Sequence, residues 1–368
     1  MVLGIKIIPK NNRKDWRMKK ILRLLSLSIC VIVACAFFVG CSKKTSEQIS
    51  FLNYGENIDK ETVKQFEKKY GIKVNIETFD DMETMYQKIS KGAGQYDVIL
   101  VSDALMPRMI KNNLVKKLNK DNIPNISQMD KDYLNLNIDP GNKYSVPYMF
   151  GTVGLVYNKD VVKEKVDSWD ILWNEKYKDK IFMFDTYRDT MGAALKKLGY
   201  SLNTTNPKEI EEAKNLLISQ RKSVNPIYGV DNGTTMIPAG ESDINMIWSG
   251  EGLNLQEENP NLVYVVPKEG ANFWIDSLCI PNNAKNVEGA EKFINFVSDK
   301  ESALRIADEI GYTTPNKEAR LKQPEKVKNN PNAYMPKEIM ERCEIYTDFP
   351  SDVKRLYDDA WTQIKSDN

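Results

Sequence analysis

Apolar residues along the chain switch repeatedly between two spacings, and the switching predicts the elements. Residues 49–54 (ISFLNY) form a short apolar run that reads as a strand. Residues 59–70 put Val63 and Phe66 on one helical face and are followed by Gly71, which suits a helix end. Residues 72–78 (IKVNIET) alternate as a second strand, 82–90 read as a short helix, 96–101 (YDVILV) as a buried strand and 104–114 as a further helix. This βαβαβα order specifies an open, mostly parallel sheet.

After residues 146–158 (VPYMFGTVGLVYN) the pattern restarts. It predicts a helix around Trp169, a strand at 180–184 (KIFMF), helices at 190–198 and 207–219, and a strand at 244–248 (INMIW). Residues 273–281 (FWIDSLCIP) then read as a strand, and 288–298, 301–310 and 352–364 as helices. Two α/β lobes joined by crossing strands, with a cleft between them, fit this order. No internal repeat or low-complexity segment interrupts it.

In open α/β sheets ligands bind beyond the carboxyl ends of the strands, where loops vary and helix N-termini face the crevice. Those ends here carry Tyr54, Glu56 and Asn57; Ser102 and Asp103; Asp185, Thr186 and Asp189; and Trp248 followed by Glu251. Trp274 and Asp276 add the same residue types to the strand expected to cross between lobes. Acids beside aromatics suit an aliphatic ammonium. Carboxylates hold it through charge-assisted hydrogen bonds of about 1.5–3 kcal/mol each, and aromatic faces cover its methylenes and add about 0.5–2 kcal/mol. Each residue also has a structural alternative: Tyr54, Trp248 and Trp274 as core aromatics, Ser102, Asp185 and Asp189 as helix caps, Glu56 and Glu251 as solvated charges, and Asp276 as a partner of backbone or of Ser277.

Composition narrows the chemistry. The 368 residues contain no histidine, which removes histidine-based triads, bases and metal ligands. Residues 18–44 have a basic start, an apolar run and small residues before Cys41, the grammar of a secretory signal. A membrane-spanning anchor is the alternative. The Val39-Gly40-Cys41 ending resembles a bacterial lipobox, in which Cys41 becomes the lipidated N-terminus. Residues 1–17 have no role in this scheme, and Met18 is an alternative start. Residues 1–41 hold eight of the 52 basic and one of the 51 acidic residues, so the remainder has 44 against 50, a net charge of −6. That disfavours nucleic acid as a partner. Of five cysteines only Cys279 and Cys343 lie beyond residue 41, and no disulfide framework or metal spacing results.

From about Ser50 to the C-terminus the chain resembles the spermidine/putrescine-binding proteins of polyamine ABC transporters. The resemblance runs through NYGENID, DMETMYQKI, YDVILVS, YSVPYMFGT, SWDILW, ALKKLGYSLNTTNPKEIE, MIWSG, PKEGANFWIDSLCIP and IGYTTPN. It implies a bilobal type II periplasmic-binding-protein fold, with lobe 1 at 49–151 and 273–320, lobe 2 at 152–272 and 321–368, and a tether at 42–48. It also implies that Tyr54, Trp248, Trp274 and Tyr312 form the aromatic part of the cleft and that Glu56, Asp189 and Asp276 supply charge. Gly55, Asn57, Ala104, Thr186 and Pro350 depart from the family pattern, which bears on the contacts to the amine ends. The implied protein is a monomeric, lipid-anchored receptor outside the cytoplasmic membrane. It uses no cofactor or metal, performs no covalent chemistry, and delivers a polyamine to a permease and ATPase. Two other readings are a same-fold receptor for Fe³⁺, thiamine or an amino-acid derivative, and a hydrolase using Asp185 and Asp189 as its carboxylate pair.

Overall fold

In a computed structural model, the structure describes residues 47–230 and 232–366. The signal, the lipobox and Cys41 therefore lie outside the described residues. Among the described residues there are nine strands: β1 Gln48–Tyr54, β2 Lys73–Phe79, β3 Val98–Ser102, β4 Ser145–Asn158, β5 Ile181–Phe184, β6 Ile227–Gly229, β7 Ile244–Trp248, β8 Leu262–Val265 and β9 Phe273–Cys279. Helices of eight residues or more are α1 Lys60–Tyr70, α2 Met82–Ser90, α3 Tyr187–Lys197, α4 Pro207–Val224, α5 Ser249–Glu258, α6 Val287–Val297, α7 Lys300–Ile310 and α8 Ser351–Ser366.

The sheet runs β2-β1-β3-β9-β4-β7-β5-β6, with β8 paired to β4. Both ends are built of parallel βαβ units: β1 pairs in parallel with β2 and β3, and β5 with β6 and β7. Local chemistry fixes the first unit. The Asp59 side chain accepts from the N–H groups of Glu61 and Thr62 and caps α1, and Gly71 ends it at φ 69°, a conformation that favours glycine. The apolar run of β3 is buried on both faces, as expected of a central parallel strand.

The two halves meet through β4 and β9, both antiparallel to their neighbours. The first half of β4 pairs with β9, and the second half pairs with β7 and β8. A third segment runs alongside: Glu344 N–H donates to the Ala271 carbonyl and Phe273 N–H to the Glu344 carbonyl, each at 3.0 Å. The result is two α/β lobes with separate cores. Phe51, Phe66, Leu100 and Phe293 lie in the first lobe, whose core on the other sheet face also takes Ala333 and Tyr334. Trp169, Phe182, Leu217 and Tyr357 lie in the second.

Several elements differ from the sequence expectation. The helix expected at 104–114 is only Met106–Lys111, and the element around Trp169 is a 3-10 turn, Trp169–Trp173. The helix expected from residue 190 begins at Tyr187, with Asp189 in its first turn, where a carboxylate is favoured by the helix dipole.

Candidate functional site

The site is built around β9. Between Pro147 and Met149 the β4–β9 register shifts, so that Pro147 faces Ser277 and Met149 faces Asp276. Proline has no N–H for the ladder and is tolerated at such a bulge, which re-aims the neighbouring side chains. The extra residue, Tyr148, reaches out and donates to the Asn57 carbonyl at 2.9 Å, pinning the loop after β1.

Asp276 is 8% exposed, and no described residue donates a hydrogen bond to its carboxylate. Burial alone pushes its pKa up to about 7. Asp103, 3% exposed, is raised to about 8, first by burial and then by Asp276. Ser102 stands opposite Asp276 in the β3–β9 register.

The expected aromatic residues come from four segments. Trp274 on β9 meets Tyr312 edge to face, ring centroids 5.2 Å apart. Trp274 lies so close over Gly151 that a Cβ there would stand 2.4 Å from its Cζ2, and Tyr312 covers Gly250 at 2.3 Å in the same sense. Glycine at both positions is what lets β4 and the start of α5 approach the rings. The Trp274 Nε1 is buried with no hydrogen-bond partner among the described residues, an arrangement that normally needs an explanation. Burial, then Glu251 and Asp276, push the Tyr312 hydroxyl far above the usual phenol range. Tyr54 meets Phe79 edge to face at 5.5 Å. Trp248 leans on Phe184 at 4.5 Å in the second lobe.

Asp189 forms a further charged position. Its carboxylate accepts from the Thr186 hydroxyl at 2.5 Å and from the Tyr346 hydroxyl at 3.0 Å. Burial raises its pKa, opposed by those hydroxyls and by Arg188. The Arg188 guanidinium lies 4.2 Å from the Tyr346 ring centre and 4.1 Å from that of Phe349, and donates to Asn203 Oδ1 at 2.9 Å. A cavity of about 170 Å³ opens here, lined by Ala104 and Arg108 of the first lobe and by Tyr187, Arg188 and Tyr346.

The structure does not gather every expected residue. Glu56 is exposed and paired with Lys60 at 2.9 Å. Asp185 is exposed and paired with Lys365 of α8 at 2.7 Å, so Asp185 and Asp189 hold different partners. A larger cavity of about 490 Å³ lies between α5 and residues 307–333 and shares Tyr312 with the expected set. The convergence lies elsewhere, at Asp103, Asp276, Trp274 and Tyr312. Sequence reading passed over Tyr346, gave Arg188 no role, and left Glu251 open between a strand-end acid and a solvated charge. Glu251 carried a signal in its position directly after Trp248-Ser249-Gly250, whereas Tyr346 stands in a segment without periodicity. Among the described residues no His/Cys/Asp/Glu group could hold a metal ion, and no helix is long and apolar enough to cross a membrane.

The family model for bacterial extracellular solute-binding proteins matches residues 61–336. The spermidine/putrescine-binding periplasmic protein of Escherichia coli (strain K12) is 36% identical over 341 residues, 91% of this chain and 97% of that protein. The putrescine-binding periplasmic protein SpuD of Pseudomonas aeruginosa (strain UCBPP-PA14) is 32% identical over 334 residues, 85% of this chain and 90% of that protein. Among solved structures, the spermidine/putrescine ABC transporter substrate-binding protein PotD of Streptococcus pneumoniae superposes with a TM-score of 0.82 at 37% identity, covering 88% of this chain and 99% of that one. The chain belongs to the bacterial extracellular solute-binding protein family.

Proposed function

We propose that the protein is the receptor of a polyamine ABC importer: it captures putrescine or spermidine between its lobes and hands it to a membrane permease driven by an ATPase. The observation that carries this reading is Asp276, a buried carboxylate without a hydrogen-bond donor among the described residues, flanked by Trp274 and Tyr312. An unpaired buried charge is costly. A ligand ammonium supplies the missing counter-charge, and the two rings cover the adjoining methylenes. Asp189, its carboxylate held by the Thr186 and Tyr346 hydroxyls, is the second acid of this reading, and Glu251 near Tyr312 adds negative potential. The relatives named for spermidine and putrescine support the same ligand class.

In this reading lobe 1 (49–151 and 273–320, continued by the stretch that carries Ala333 and Tyr334 into its core) and lobe 2 (152–272 and the rest of 321–368) close about hinges near Gly151 and Ala271. A signal at 1–41 directs export, and lipidated Cys41 holds the monomeric receptor at the membrane through the 42–48 tether. The test is calorimetric titration with putrescine, spermidine and 4-aminobutyrate. Saturable binding of at least one polyamine, tighter than that of the zwitterion, is expected. Binding of the zwitterion with none of either polyamine would sink the proposal.

A further inference from the structure

One side of α5 faces the first lobe. Gly250, Leu253, Asn254 and Glu257 stand at i, i+3, i+4 and i+7, a single stripe of the helix, and each meets something across the divide. Tyr312 lies over Gly250, and the Asn254 amide comes so close to Gly311 that a Cβ there would stand 2.3 Å from its nitrogen. Leu253 packs against the cores on both sides. Glu257 forms an ion pair with Lys326 of the short helix Glu325–Lys328. Nearer the chain crossing, the Asn332 amide donates to the Tyr264 carbonyl of β8 at 2.8 Å.

The stretch bearing Lys326 is bonded to the first lobe. Lys322 pairs with Glu301 of α7, Arg320 donates to the Lys328 carbonyl at 3.0 Å, and Tyr334, in the first lobe's core, donates to Gln323 Oε1 at 2.6 Å. The Glu257–Lys326 pair therefore joins the two lobes. Both residues line the cavity of about 490 Å³, so the seam is a row of separate contacts around a space, which suits surfaces that must part again. It is also continuous with the ligand site: Tyr312 belongs to both, and α5 begins directly after Trp248.

We propose that this stripe of α5 latches the lobes together over the ligand, with Glu257 and Lys326 as positioning residues that set affinity without touching it. The inference rests on the polyamine reading above. A receptor that holds its ligand only when closed has an affinity scaled by the closing equilibrium. Contacts across the seam enter that equilibrium. Because they form as the lobes come together, they slow release more than they speed capture. Lys326 and Glu257 are 66% and 59% exposed, and an exposed pair shifts an equilibrium by up to about fivefold. A contact of that strength holds the ligand and still lets the lobes reopen.

The experiment measures putrescine and spermidine affinity by calorimetry, and their release rates by stopped-flow tryptophan fluorescence, for the wild type, Glu257→Lys, Lys326→Glu and the swapped pair carrying both substitutions. The single reversals move the net charge in opposite directions. A general field acting on a cationic ligand would therefore weaken binding in Glu257→Lys and tighten it in Lys326→Glu. A latch is broken by both. Each single reversal is expected to raise Kd and the release rate about three- to tenfold at about 0.15 M salt, and the swapped pair to return both to within about twofold of the wild type. Should a reversal fail to fold, Glu257→Gln and Lys326→Gln take its place, each with about two- to fivefold faster release expected. Opposite shifts in the single reversals, unchanged release in both, or a swapped pair no better than either would overturn the proposal. A lowered ligand-free melting temperature with unchanged release would also overturn it, since the pair would then serve only the fold. Absence of any putrescine or spermidine binding to the wild type would overturn both this inference and the functional reading, whereas binding with release indifferent to the seam overturns this one only.

Discussion

Replacing Asp276 with asparagine should move stability and affinity in opposite directions. In the free protein, burial lifts the carboxyl pKa from 3.8 to about 7, roughly three units at about 1.4 kcal/mol each, so the ionised form costs the fold about 4 kcal/mol. The unfolded value is the lower one. The stabilising contribution is therefore fully present below about pH 3.8 and is lost as pH rises through about 7. Asp276→Asn removes the charge penalty and introduces a buried amide without partners, which costs about 1–3 kcal/mol. At about pH 8 the ligand-free variant is left more stable than the wild type by roughly 1–3 kcal/mol.

The liganded protein should respond the other way, because the ammonium loses its counter-charge. Truncating one side of a buried charge pair costs about 2–5 kcal/mol, which corresponds to about 30- to 5,000-fold in Kd. Calorimetric titration with putrescine and spermidine, beside thermal melts of the ligand-free forms at about pH 8, measures both quantities. Unchanged affinity together with a lower melting temperature would refute the reasoning, since Asp276 would then be serving the fold rather than the ligand.

Gly151→Ala should weaken polyamine binding about tenfold, because its Cβ would stand 2.4 Å from Trp274 Cζ2 and 2.5 Å from Ser249 Oγ and overpacking of that kind costs about 1–3 kcal/mol; titration followed by tryptophan fluorescence checks it. Cys41→Ser should release the protein from the membrane fraction with its affinity unchanged, and retention after detergent-free washing would favour a spanning anchor instead.

The strands were legible wherever burial on both faces left an uninterrupted apolar run bounded by turns, as in β3 and β5. The first helix was legible because its face, its Asp59 cap and its Gly71 terminator agree. The helix at Tyr187–Lys197 was placed three residues late, since Asp189 has the composition of a cap while its side chain is taken by Thr186 and Tyr346. β8 went unseen: it is four residues long, and only its antiparallel pairing with the far half of β4 makes it a strand. Tyr346 was equally hidden. Its place beside Asp189 depends on the segment around Glu344 crossing next to Ala271, a contact between residues more than 70 positions apart that no local spacing encodes.

Asp276 shows what sequence and structure each contribute. An acid two residues after Trp274 in an apolar strand is anomalous on sight, but the anomaly has several resolutions: a bond to Ser277, a bond to backbone, or an external partner. Sequence cannot choose among them, because the choice depends on register. The β4 bulge at Pro147 and Tyr148 sets Asp276 against Met149, a side chain with no N–H or O–H to offer. Across the other edge, the backbone N–H that could have served a carboxylate, that of Ile275, already donates to Asp103. Met149 and the Ile275 N–H are thereby ruled out as partners for reasons visible only in the sheet, and what remains is a buried acid that a cation from outside can complete.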